Sequence, residues 1–255
     1  MTFKTIRIER EGAIATVKLS RPDCLNAFSY EMMEEVTEAA RILRKDHETH
    51  AIVLTGEGRA FSSGFDLTQS SPSGSVAERR ELHHRGREMC LAWEKLPQTT
   101  IAAIHGPAVG AGIALALCCD WRVMASDAYL YVPEVKIGLT LQMQAIPRLV
   151  ALVGPARAKR IVMLCEKLPA ETALEWGLVE EVTPPGGDIA AAVRMAEAAC
   201  AMPSAIMTMS KEAINAVANS NLHATSFMDA DVSMLVFDLD DALKARAPFK
   251  SKAGR

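Results

Sequence analysis

The chain has 255 residues, 49% hydrophobic, 23% charged and 5% aromatic, with a net charge of −3. That is the make-up of an ordinary globular protein with room for one large core, or a core plus an appendage. The slightly acidic balance gives no electrostatic basis for binding nucleic acid or an anionic membrane surface.

The first ten residues alternate like a strand and not like a signal peptide, and the longest apolar runs are interrupted too early to span a bilayer. Two strands are expected over 5–10 and 13–19, with a two-residue hairpin turn at Glu11-Gly12. Arg21-Pro22-Asp23 ends the second. Ser29 reads as an N-cap with Glu31 in the first turn, and Met33, Val36, Ala40 and Leu43 recur on one helical face. A strand over 51–55 follows. Residues 69–76, rich in Ser, Pro and Gly, read as a mobile loop before a charged helix over about 77–96 that stops at Pro97. A strand over 100–104, a helix from about Gly110, a strand over 121–124 and a short strand over 129–132 come next. Strands alternating with helices argue for an α/β fold with parallel pairing. Beyond Pro155 the chain is expected to be mostly helical, with breaks at Pro169, Gly177, 184–187 and Pro203. The expected division is a core over 1–187 and a helical region over 188–255 built for packing or assembly.

Six cysteines lack any C-x-x-C spacing, and Cys118-Cys119 are adjacent in an apolar run. This pattern points to reduced, buried thiols in a cytoplasmic protein and away from a disulfide frame or a zinc site. His83-His84, His47 and His50 have no metal-ligand context and read as exposed.

Two turns stand out: Ala60-Phe61-Ser62-Ser63-Gly64-Phe65-Asp66-Leu67 and His105-Gly106-Pro107-Ala108-Val109-Gly110-Ala111-Gly112. Each follows an apolar strand. Small residues there let the main chain approach a ligand, and two convergent N–H groups are what a developing oxyanion needs. The plainer alternative is glycines serving tight turns and close packing. Neither G-x-G-x-x-G nor G-x-x-x-x-G-K-[ST] occurs, which removes the sequence basis for nucleotide binding. A Ser-His-Asp hydrolase would have to use Ser62 or Ser63 with His105, but the first glycine of G-x-S-x-G is missing. Glu134 follows Pro133 among Tyr131, Val132, Val135 and Ile137. A carboxylate beside so much apolar surface is paired, protonated or used; it is a proton carrier with a raised pKa, or one end of an ion pair to Lys136 or a distant arginine.

The ordered set of motifs resembles the crotonase, or enoyl-CoA hydratase/isomerase, superfamily over nearly the whole chain. It comprises Arg21-Pro22 with Asn26-Ala27-Phe28, Val53-Leu54-Thr55-Gly56, both turns, and Cys119-Asp120 with Pro133-Glu134. Val153-Gly154-Pro155-Ala156-Arg157-Ala158 and Trp176-Gly177-Leu178-Val179 complete it. The resemblance implies a spiral of ββα turns, a C-terminal helical region for trimerisation (a homotrimer or dimer of trimers), and a coenzyme A thioester substrate. No metal or cofactor beyond the substrate's coenzyme A is implied. It assigns the oxyanion hole to the N–H groups of Phe65 and Ala111, and proton transfer to Glu134. The acyl-CoA path is assigned to main-chain groups around Leu25, Ala27, Ser63, Gly64, Asp66, Leu67 and Gly110, with Phe249 and Lys250 at the nucleotide end.

Two departures bear on the reaction. Hydratases of the superfamily carry two glutamates, and here the first position is Ala114, leaving Glu134 alone. One base can take a proton from one carbon and return it to another, so the pattern resembles an enoyl-CoA isomerase more than a hydratase. In Gly138-Leu139-Thr140-Leu141-Gln142-Met143-Gln144, Gln142 or Gln144 either orients water or a polar acyl group, or fills space. Double-bond isomerisation is the expectation. Hydration of a 2-enoyl-CoA and non-catalytic acyl-CoA binding are the alternatives.

Overall fold

In the computed structural model, residues 2–69 and 74–253 are described, with side chains to residue 248. Antiparallel β1 (Ile6–Glu11) and β2 (Ile14–Leu19) turn through Gly12 and Ala13, one residue later than expected, because Gly12 takes φ +55. A 3₁₀ turn over Pro22–Cys24 follows, and Leu25 and Asn26 sit at φ +54 and +55. Ser29 caps α1 (Tyr30–Leu43) by accepting the Met32 N–H, and Met33, Val36, Ala40 and Leu43 are all buried. β3 (Ala51–Gly56) is buried throughout, and α2 (Val76–Glu94) opens with a capping box between Ser75 and Glu78. Then come β4 (Thr99–Ile104), β5 (Pro107–Val109), α3 (Ala111–Ala116), β6 (Trp121–Ala125) and β7 (Tyr129–Tyr131).

α4 (Ala145–Met163) starts well before Pro155 and accommodates that proline by leaving Gly154 at φ +76. The stretch after it is less helical than expected. β8 (Leu168–Pro169) and β9 (Glu181–Thr183) flank α5 (Ala170–Glu175), and both strands are too short to show an alternating pattern in sequence. α6 (Asp188–Cys200), α7 (Ser204–Ala218), α8 (Leu222–Ser226), α9 (Asp229–Asp238) and α10 (Asp240–Ala253) complete the chain.

The large sheet has the order β1-β2-β3-β4-β6-β9, parallel apart from the first pair; the small one is β5-β7-β8. Successive turns of the chain thus leave one strand in each sheet, β4 with β5, β6 with β7, and β9 with β8. A parallel bridge between Ser62 and Ala108 carries the small sheet back to the turn after β3. Side chains alternate faces along each strand. Ile52, Leu54, Ala102, Ile104 and Met124 meet α1, α2 and α3 in the main core. Ala51, Val53, Ile101, Ala103 and Val123 meet Ala191, Ala192 and Ala196 of α6. The expected division at 187/188 is therefore not a packing boundary, because α6 is the second cover of the large sheet.

Beyond α6 the helices are less embedded. α7 buries no residue and exposes Ile206, Met209, Ile214 and Val217. α9 packs along α2 with the ion pairs Arg80–Asp231 and Arg79–Asp238. Among the described residues no single helix is long and apolar enough to cross a membrane; α6 and α7 reach that length only together, bent by 108°. Residues 70–73 of the expected loop at 69–76, and the side chains of Phe249 and Lys250, fall outside the described residues.

Candidate active site

The two small-residue turns are locked side by side by main-chain bonds. Ser62 N–H donates to Pro107 O at 3.0 Å and Val109 N–H donates to Ser62 O at 2.9 Å. Fully buried Asn26 ties the approach, its Nδ2 donating to Glu57 O and Ala60 O. Ser62 Oγ donates to Asn26 O and accepts the Gly64 N–H. Gly64 lies at φ +95, where a Cβ would press on Val109 O, and a Cβ on Gly112 would strike Ser62. Close approach of the two turns therefore requires both glycines.

This arrangement leaves two N–H groups free. Phe28 N–H donates to Gly64 O and Asp66 N–H donates to Phe28 O, so the N–H of the intervening Phe65 points away from that bridge. Ala111 is the first residue of α3, whose opening N–H groups have no partner within the helix. Neither N–H has an acceptor among the described residues. Phe65 and Ala111 both line a cavity of about 90 Å³, together with Ala114, Glu134, Leu139 and Gln142. A second cavity of about 270 Å³ shares Phe65, Glu134 and Leu139 with the first, and is lined by Ser63, Gly64, Leu67 and Gly110.

Glu134 enters the first cavity from the end of β7, at the head of a 3₁₀ turn over Val135–Ile137. Gly110 at φ +47 makes room for it, since a Cβ there would collide with Glu134 Oε1. Oε2 is buried without a hydrogen-bond partner, and no cation among the described residues pairs with this carboxyl. The ion pair to Lys136 or an arginine is not formed. Burial, only partly offset by a hydrogen bond from its own main-chain N–H, raises the Glu134 pKa from 4.5 to about 7.

Two residues with unpaired main-chain N–H groups and one buried carboxyl thus line a common cavity. The family described as enoyl-CoA hydratase/isomerase matches residues 9–254. The chain belongs to the enoyl-CoA hydratase/isomerase family. It is 40% identical to the probable enoyl-CoA hydratase echA6 of Mycobacterium tuberculosis over 178 residues, covering 69% of this chain and 70% of that protein. Over 255 residues it is 31% identical to the probable enoyl-CoA hydratase echA8 of the same organism, covering 99% and 97%. Its fold superposes on the crystal structure of an enoyl-CoA hydratase from Mycobacterium avium subsp. paratuberculosis with a TM-score of 0.89 at 26% identity, covering 98% and 97%. The α/β spiral is thus the crotonase fold, and the chain is an enzyme of the crotonase family. Among the described residues no group of three or more His, Cys, Asp or Glu is placed to hold a metal ion.

Other residues singled out in this hydratase/isomerase fall into distinct places. Leu25, Ala27 and Asp66 line neither cavity. They brace the first turn: Leu25 O accepts from Ser63 N–H, and Arg21 bonds both Ala27 O and the Asp66 carboxylate. Asp66 is held as a carboxylate, its pKa lowered despite burial by Thr68 and Arg21. Gln142 lines the first cavity and donates to Thr140 Oγ1 at 3.3 Å. Gln144 does not line it. Its N–H donates to Asp229 and its Nε2 to Ser226, so it fastens the C-terminal helices. The hydrolase alternative has no geometry behind it: Ser62 and Ser63 hydroxyls donate to Asn26 O and Cys24 O, while His105 pairs with Asp188.

The structure also corrects the reading of His83 as exposed. It lines the first cavity with Ser233 and Phe237 of α9, and Tyr30 and Met33 of α1 line another part. A signal existed on α2. Leu82, Gly86, Met89 and Trp93 recur at helical spacing, which sets His83 at the margin of the inward face.

Proposed function

We propose that this protein forms an enolate from an acyl-CoA thioester and uses it to move a carbon–carbon double bond. The N–H groups of Phe65 and Ala111 receive the thioester oxygen, and each such donor contributes about 2.7–4 kcal/mol when the charge develops only in the transition state. Glu134 removes the proton from the carbon next to the thioester of a 3-enoyl-CoA. The electron pair moves into the carbonyl, and the same carboxyl returns the proton at the far end of the conjugated system. Nothing is added or lost. The cavity lined by Ser63, Gly64, Leu67 and Gly110 is the entrance for the coenzyme A portion, and Leu25, Ala27 and Asp66 support its floor.

The observation that carries this reading is that Glu134 is the one carboxyl lining the cavity among the described residues, with apolar Ala114 also lining it. A pKa of about 7 suits a group that both accepts and returns a proton. Hydration of a 2-enoyl-CoA is the second reading, favoured by relatives named hydratases and by Gln142 in the cavity. Incubation with matched 3-enoyl- and 2-enoyl-CoA separates the two. Conversion of the 3-enoyl to the 2-enoyl thioester is expected. Accumulation of a 3-hydroxyacyl product would transfer the assignment to hydration, and binding without either product would leave an acyl-CoA-binding protein.

Assembly as a homotrimer or dimer of trimers belongs to the same proposal and is supported by the apolar face of α7. Six unpaired cysteines support a reducing, cytoplasmic setting.

A further inference from the structure

Among the described residues His83 is the one side chain lining the first cavity with an ionisable ring nitrogen, and the reaction above gives it no task. Its Nδ1 lies 2.9 Å from Ser233 Oγ, and its ring meets the Phe237 ring edge-on at 5.4 Å. Ser233 is 3% exposed, and its hydroxyl has no other partner among the described residues. A buried hydroxyl hydrogen must be satisfied. It is satisfied here only if Ser233 donates to Nδ1, which puts the proton of the neutral ring on Nε2. That nitrogen has no partner among the described residues and is accessible, and the residue itself lines the cavity. Burial, then Arg79 and His84, keep the ring on the neutral side of its usual range. The α2–α9 side of a mostly apolar chamber, one that Glu134 also lines, thus carries a fixed, uncharged N–H donor.

We infer that the acyl group handled by this enzyme carries a neutral hydrogen-bond acceptor, an oxo or hydroxyl oxygen beyond the reacting carbons, received by His83 Nε2–H with Ser233 as the positioning residue. An alkyl chain of the same length would bury the imidazole donor unpaired, and a site built around a polar contact discriminates strongly against analogues lacking it. This rests on the acyl-CoA reading above and names its substrate class. A carboxylate is disfavoured because the ring is neutral.

The test uses straight-chain acyl-CoAs of six to eight carbons, each paired with the analogue bearing an oxo group on the penultimate carbon, beyond the reacting C2–C4 segment. Dissociation constants and the rate of α-proton exchange in deuterated water are measured for wild type, His83→Leu and Ser233→Ala. For at least one length, wild type is expected to bind the oxo member about tenfold or more tightly. His83→Leu should erase that preference, weakening the oxo member and tightening the alkyl member as the unpaired donor is removed, and Ser233→Ala should reduce it. Equal binding of both members at every length, or a preference that survives His83→Leu, would overturn the inference. Selective binding without exchange would uphold His83 as the acyl-end donor and refute enolate chemistry, so the two failures are distinguishable.

Discussion

Glu134→Gln should make the folded protein more stable while disabling it. The carboxyl is held in a site where Oε2 has no partner, and its pKa rises from 4.5 to about 7. Such a rise corresponds to roughly 3 kcal/mol of folding free energy spent on keeping the carboxylate charged above neutral pH. The sign follows from the direction of the shift. The folded state holds the proton more tightly than the unfolded chain, so the full stability contribution is present below about pH 4.5 and is lost as pH rises through about 7. Glutamine has the same shape without the charge, but its amide would also lack a partner, which returns about 1 kcal/mol or more of the gain. A net gain of about 1–2 kcal/mol at pH 8 is expected, or several degrees in the thermal midpoint for a chain of this size. Thermal unfolding of wild type and variant from pH 5 to pH 8 is the assay. The gap should open as pH rises. A gap that is constant with pH, or a variant less stable than wild type at pH 8, would refute burial as the main cause of the raised pKa.

The same shift predicts that kcat/KM for exchange rises about tenfold per pH unit below neutrality and levels off above about pH 7; a flat profile from pH 5 to pH 8 contradicts it. Gly110→Ala forces a side chain at φ +47 against Glu134 Oε1 and should cost about 1–3 kcal/mol from the backbone alone. It should also lower kcat about a hundredfold through misplacement of the acid, read by steady-state kinetics and urea melts. Arg148, buried against Glu94 at 2.7 Å, also donates to Met143 O and Gln144 O behind the Gln142 segment. Arg148→Met should cost about 3–5 kcal/mol in urea unfolding, with part recovered in the double variant with Glu94→Gln; a loss near zero would show the pair is dispensable.

What the sequence disclosed and what it hid divide along chain separation. The turn at 62–67, the turn at 106–112 and Glu134 were legible because small or acidic residues stand directly at the ends of apolar runs, where local rules apply. The capping of α1 by Ser29 and the buried strands β3 and β4 were legible for the same reason. The place of His83 was not, because its partner Ser233 lies 150 residues away on a helix whose docking has no local signature. Gln144 is similar: its bonds run to Ser226 and Asp229 across more than 80 positions, so proximity to Gln142 in sequence was misleading. α6 looked like an appendage because a run of alanines carries a weak apolar signal. Those alanines are small because the helix lies close against the sheet.

The claim that most needs testing is that Phe65 and Ala111 hold an enolate oxygen while Glu134 carries the proton. Wild type and Glu134→Gln, each shown by calorimetry to bind the same acyl-CoA, should be compared for loss of the α-hydrogen to deuterated water. Rapid exchange in wild type and a fall of several orders of magnitude in the variant, with binding retained, is the expected result. Exchange at the wild-type rate without the acid would contradict the account.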